Sequence, residues 1–242
     1  MQFRYLAAGI LLATASVSSA AVLVVRSSGP SAKSFPAGKS LDDNAKINLK
    51  ANDTLVVLDA RGTRTLKGPG IFTPGGPAKA AGTMSSLSAV AGSSKGRARV
   101  GAVRSVGTGP VKPNIWQVDV SKSSNICVTS PGSVTLWRPD ASKPVTLTVA
   151  GGRGNASRQL SWAAGQSTLA WPGDVPISDG VDYRLSWDGA ASPTKLQFRT
   201  LQAKPTALED IASTLIRNGC NAQLDLLIET VRLPDDGTAP RG

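Results

Sequence analysis

Thr54–Asp59 reads Thr-Leu-Val-Val-Leu-Asp, and an extended chain of that wording is apolar on both sides. Leu55 and Val57 point one way, Val56 and Leu58 the other. Such a strand is usually central in its sheet or covered on both faces. The run passes through Ala60-Arg61-Gly62 into Thr63–Lys67 and stops at Gly68-Pro69-Gly70, the punctuation of an antiparallel hairpin. Upstream, Ala21–Val25 and Ala45–Leu49 read as further strands, with a turn at Asn52-Asp53. Residues 22–73 are expected to form a small all-β unit of about five short strands.

The texture changes after Thr73. Residues 74–113 are built from Gly, Ala, Ser, Pro and basic side chains, with no acid and no aromatic. A stretch of this kind buries too little apolar surface to offset its ordering entropy and reads as a flexible linker. From Trp116 the alternation returns. Candidate strands lie at Ile115–Val120, Ile126–Val128, Val134–Arg138, Val145–Val149, Gln159–Trp162, Ser167–Trp171, Tyr183–Trp187 and Lys195–Thr200. Pro131-Gly132, Gly151-Gly152, Asp179-Gly180 and Asp188-Gly189 separate them, which predicts an immunoglobulin-like β-sandwich. The period then becomes helical. Thr206-x-x-Glu209 reads as a capping box, with Leu208, Ile211, Ala212 and Leu215 on one face and Asn218-Gly219 as the stop. A second helix over about 222–231 completes a helical hairpin.

The expected plan is thus mainly β. It runs as a signal segment (1–20), a β unit (21–73), a linker (74–113), a sandwich (114–201), a helical hairpin (202–233) and a polar tail (234–242). Arg4, the apolar Leu6–Ala15 run and Ser18-Ser19-Ala20 have the form of a cleavable export signal, placing the chain in the periplasm or outside the cell. The alternative is an inner-membrane anchor over residues 5–25, which carry no charge. In an oxidising compartment Cys127 and Cys220 read as one disulfide, the alternative being two buried thiols.

Charge and missing residue types narrow the chemistry. The net charge of +11 is concentrated in the front half and the linker. No His is present, which removes the usual general base, the usual zinc ligand and the Ser-His and Cys-His pairs. Gly92-Ser93-Ser94-Lys95-Gly96 imitates a nucleophile elbow without a flanking strand and helix, and Ser192-Pro193-Thr194-Lys195 imitates S-x-x-K where Pro193 breaks the helix. No enzymatic activity, cofactor or metal site is expected.

With the segments placed, residues 22–73 resemble the extracytoplasmic FecR domain. The features that carry this are the Val-rich opening strand, Gly38-x-x-Leu41, Ile47-x-Leu49, and Leu58-Asp59-Ala60-Arg61-Gly62-Thr63 leading to Gly68-Pro69. The resemblance covers about a fifth of the chain and implies an exported interaction module acting in envelope signalling. The expected function is that of a non-enzymatic adaptor of the bacterial envelope with an envelope protein as partner. The alternative is a glycan or peptidoglycan binder; a hydrolase comes third. Candidate contact residues are Arg61, Arg64 and Lys67, a basic rim on the hairpin, where the simpler reading is solvated charge. Lys95, Arg97, Arg99 and Arg104 in the linker suit an anionic membrane surface or a cell-wall polymer, the simpler reading being a solvated tether. No aromatic interleaves them, so nucleic acid is not an expected partner. All five Trp lie beyond residue 114, most on strands that place them in a core, and Trp171 before Pro172-Gly173 is the one expected to be exposed.

Overall fold

The structure, a computed structural model, describes residues 21–75 and 112–233. The N-terminal part holds β1 (Ala21–Ser28), β2 (Ser40–Asp42), β3 (Ile47–Leu49), β4 (Thr54–Asp59), β5 (Gly62–Lys67) and β6 (Gly70–Phe72). Four of these make an antiparallel sheet in the order β2-β1-β4-β5, and β3 pairs with β6 separately. The two-faced strand is therefore interior. Leu55 and Val57 pack with Val22, Val24, Ile47 and Leu49 on one face, while Val56 and Leu58 pack on the other. Asp53 pins the loops beneath, its carboxylate accepting the Ser31 N–H at 2.8 Å and the Lys50 N–H at 2.6 Å.

The second part is a β-sandwich of, among the described residues, eight strands: β7 (Gln117–Asp119), β8 (Ser124–Val128), β9 (Thr135–Trp137), β10 (Val145–Gly151), β11 (Ala156–Trp162), β12 (Thr168–Ala170), β13 (Asp182–Trp187) and β14 (Thr194–Thr200). One sheet runs β11-β10-β13-β14-β8 and the other β12-β9-β7. Inward-facing Val118, Ile126, Leu136, Leu147, Leu185 and Phe198 close the core between them. Two pairings, β14 with β8 and β7 with β9, are parallel. The chain switches sheets between β7 and β8, so each of these two strands forms an outer edge.

Helices α1 (Leu208–Arg217) and α2 (Asn221–Thr230) follow. The capping box anticipated from Thr206 and Glu209 does not form. Ala207 is the N-cap, without a side-chain bond, because the helix begins one residue later, at Leu208. Glu209 and Asp210 in the first turn still complement the helix dipole. The stop is as the sequence predicts. Gly219 takes φ +66°, the Cys220 N–H reaches the Leu215 carbonyl at 2.9 Å, and the Gly219 N–H reaches Ile216 at 3.1 Å, a full Schellman motif.

The hairpin is a shared wall. Leu208, Ile211, Ala212 and Leu215 of α1 and Leu224, Leu227 and Ile228 of α2 join one core with Leu23, Val25, Val56 and Leu58. Ile115, Cys127 and Leu201 enter the same core from the sandwich side. The helices therefore supply the second cover that β4 demands. The Cys127–Cys220 disulfide, with Cα atoms 5.9 Å apart, fixes them to β8.

Candidate functional site

Three places gather the side chains that could do work. The first is the β4–β5 turn. Asp59 Oδ1 accepts the backbone N–H of Arg61 at 2.8 Å and of Gly62 at 3.3 Å. Its Oδ2 accepts Arg61 Nη2 at 2.6 Å and Arg64 Nη2 at 3.4 Å. Burial raises the Asp59 carboxyl, but the Arg61 bonds and the charges of Arg61 and Arg64 outweigh it and hold the group below the usual carboxylate range.

This corrects the basic rim. Arg64 is buried, because its place on β5 opposite Val57 turns it inward, and Arg61 is folded back onto Asp59; only Lys67 stands exposed. The turn instead meets the chain's own C-terminal segment. The Thr63 N–H donates to the Val231 carbonyl at 2.9 Å, Thr63 Oγ1 to Ile228 at 2.8 Å, and the Leu233 N–H to Thr63 at 2.9 Å. Gly62 sits at φ +145°, and a Cβ there would run into the Val231 carbonyl oxygen.

The second place is a groove where α2 meets the sandwich. Its walls are two outer strands, β7 and β8. Part of the β8 edge is closed by a side chain acting as backbone. Gln223 Oε1 accepts the Cys127 N–H at 2.6 Å, and its Nε2 donates to the carbonyls of Ile115 at 2.7 Å and Cys127 at 3.0 Å. Beside it lies a cavity of about 210 Å³ walled by Ser124, Ile126, Trp137, Ala222 and Leu226. The pairs Lys112–Glu229 (3.4 Å) and Lys122–Asp119 (3.6 Å) lie at its rim. Trp137 Nε1 and Ser124 Oγ are buried, and neither has a hydrogen-bond partner among the described residues. Such groups normally find one. A shallower polar hollow of about 620 Å³ continues past Asn125, Gly219, Asn221 and Asp225.

The third place is one end of the sandwich, a mouth of about 230 Å³. It is framed by the loops after β7, β9 and β13. The strand register puts Trp162 opposite Val145 and Trp187 opposite Leu147, so all four share the inner face of one sheet. Arg138 lies 5.0 Å over the Trp162 ring, its guanidinium bound to the carbonyls of Gln166 (3.0 Å), Lys143 (2.8 Å) and Ala163 (2.7 Å).

Trp171 is not the exposed aromatic that its neighbouring Pro-Gly suggests. Its ring stands edge-on to Tyr183 at 5.4 Å and to Phe198 at 5.1 Å, and its Nε1 donates to Val175 at 2.6 Å. Pro172 turns the chain, but the ring stays inside the sandwich. Lys95, Arg97, Arg99 and Arg104, and the signal segment, lie outside the described residues. Among the described residues no cluster of His, Cys, Asp or Glu could hold a metal ion, and no helix is long and apolar enough to cross a membrane.

Gln223, Ser124 and Trp137 did not stand out in the sequence. Gln223 carried a faint signal, a polar residue adjoining Leu224 and Leu227 on the buried side of a helix. Set against family models, curated proteins and solved structures, the chain has no match in any of the three.

Proposed function

We propose that the chain is an exported, non-enzymatic adaptor of the bacterial envelope, and that the groove between α2 and the β7–β8 edges takes an extended segment of a partner protein. The observation that carries this is the pair of buried polar atoms, Trp137 Nε1 and Ser124 Oγ, without partners among the described residues in a groove with sheet edges for walls. A donor-only indole N–H suits a peptide carbonyl, and outer strands offer main-chain groups for strand addition. Apolar Ile126 and Leu226 suit a small aliphatic side chain. The FecR resemblance of residues 22–73 and the export-like N-terminus support the envelope setting, with the N-terminal unit and the sandwich held together by the hairpin.

Immobilised chain and an Ala222→Trp variant, which fills the groove from the first turn of α2, decide the matter on the same periplasmic extract. The expected outcome is a discrete partner recovered by the parent and lost by the variant, with the circular dichroism and melting of the two alike. An unchanged set of recovered proteins would overturn the reading.

A further inference from the structure

We infer that the mouth of the sandwich binds an N-acetylated pyranose, one ring of an acetamido-sugar polymer. The inference stands on a cavity separate from the adaptor groove and does not depend on that reading. Trp162 is 1% exposed, walls the mouth, and has a buried Nε1 without a hydrogen-bond partner among the described residues. An indole N–H donates and never accepts, so the ligand must bring an acceptor. Leu147, Val120 and Val145 line the same mouth and are apolar, which asks for an acceptor carried beside a methyl or methylene group. An acetamido carbonyl with its methyl meets both demands.

The rim supplies the rest of a sugar's needs. Half-buried Trp187 gives an aromatic wall for the apolar face of a pyranose. Asp140 and Asp188 are exposed carboxylates that accept hydroxyl protons, and Lys143 donates. Hydrogen bonds from Ser142 hold Asp140 in place and keep its carboxyl below its ordinary range. Arg138 belongs to the scaffold: the three carbonyls it binds lock it over Trp162 and tie the β9–β10 loop to the segment after β11. Among the described residues the mouth carries two carboxylates, Asp140 and Asp188, and two cations, Arg138 and Lys143, a balance that favours a neutral sugar over an anionic one. A cavity of about 230 Å³ holds one ring and leaves the polymer to run over the rim.

The test uses the indole N–H signals of the ¹⁵N-labelled full chain, titrated with N-acetylglucosamine, with its disaccharide N,N′-diacetylchitobiose, and with glucose. Binding moves the Trp162 signal progressively with both acetamido sugars and leaves it in place with glucose. Trp187→Ala weakens binding about tenfold, the loss of one aromatic wall, while the other indole signals of the free protein stay put. Asp188→Asn gives a smaller loss and checks the mouth without touching its floor. A Trp162 signal that none of the three sugars moves would overturn the inference. So would an equal shift with glucose, because the acetamido group would then not be what the site reads.

Discussion

The helical hairpin has two sides, and they are built differently. Toward the N-terminal sheet its contact is mainly apolar, Leu208, Ile211, Ala212 and Leu215 against Leu23, Val25, Val56 and Leu58, with Thr63 bonded to the end of α2 and Arg26 paired with Asp225. Toward the sandwich it adds a covalent bond, Cys127–Cys220, and the Gln223 amide on the β8 backbone. An apolar face is non-directional and tolerates small slips, whereas a disulfide and a three-bond amide fix position. The hairpin is thus registered chiefly by the sandwich, with Thr63 pinning the end of α2 to β5, and stabilised in large part by the sheet.

If that division is right, Leu215→Ala, in a fully buried site facing the sheet, has the largest effect, about 2–5 kcal/mol lost in urea unfolding. Removing the disulfide with Cys127→Ser and Cys220→Ser together follows at roughly 2–4 kcal/mol, since the bond spans a sequence separation of 93. Should the disulfide variant lose more than Leu215→Ala, the covalent side would be the stronger one and the comparison would invert. Gln223→Leu leaves one buried N–H and two carbonyls without their present partner and costs about 1–3 kcal/mol. Its hydrogen exchange sharpens the picture: the Cys127 amide should lose protection before Leu215 and its neighbours do.

The remaining tests probe charge. Asp59 has a depressed native carboxyl, so its contribution is complete above the unfolded value of about 3.9 and is lost as pH falls through the native one. Asp59→Asn should therefore lower the urea midpoint at pH 6, and the gap from the parent should narrow toward pH 3. The ion pair of Arg26 with Asp225, which links the N-terminal sheet to α2, has both side chains about half exposed at 47% and 53%. Arg26→Ala is expected to change stability by under ~1 kcal/mol. A larger loss would mean that this ion pair adds materially to the Thr63 hydrogen bonds on the sheet side.

The local architecture was legible because it depends on short spacings. The two faces of β4, the succession of strands after Trp116, the Asn218-Gly219 stop and the cysteine pair all rest on patterns of period or composition. What covers the second face of β4 was not legible, because the helix that does so begins at Leu208, far along the chain. Arg64 misled for a related reason. A strand's outward positions are named only once both of its faces are known, and Asp59 with Arg61 had made an inward guanidinium tolerable. Trp171 misled because Pro172-Gly173 marks where the chain turns and not where the ring before it lies. Candidate sites at Trp137 and Trp162 were harder still. Their indole nitrogens stand out only when the surrounding acceptors are counted in space.

The stitching of Thr63 to Ile228, Val231 and Leu233 also sets an order of events. A chain made from its N-terminus at about 5–20 residues per second completes the first sheet on the order of ten to thirty seconds before α1 exists to roof it. Through that interval Leu23, Val25, Val56 and Leu58 have no native cover. A fragment ending near residue 75 should therefore be recovered mainly as aggregate. The cover of that face waits on α1 and α2.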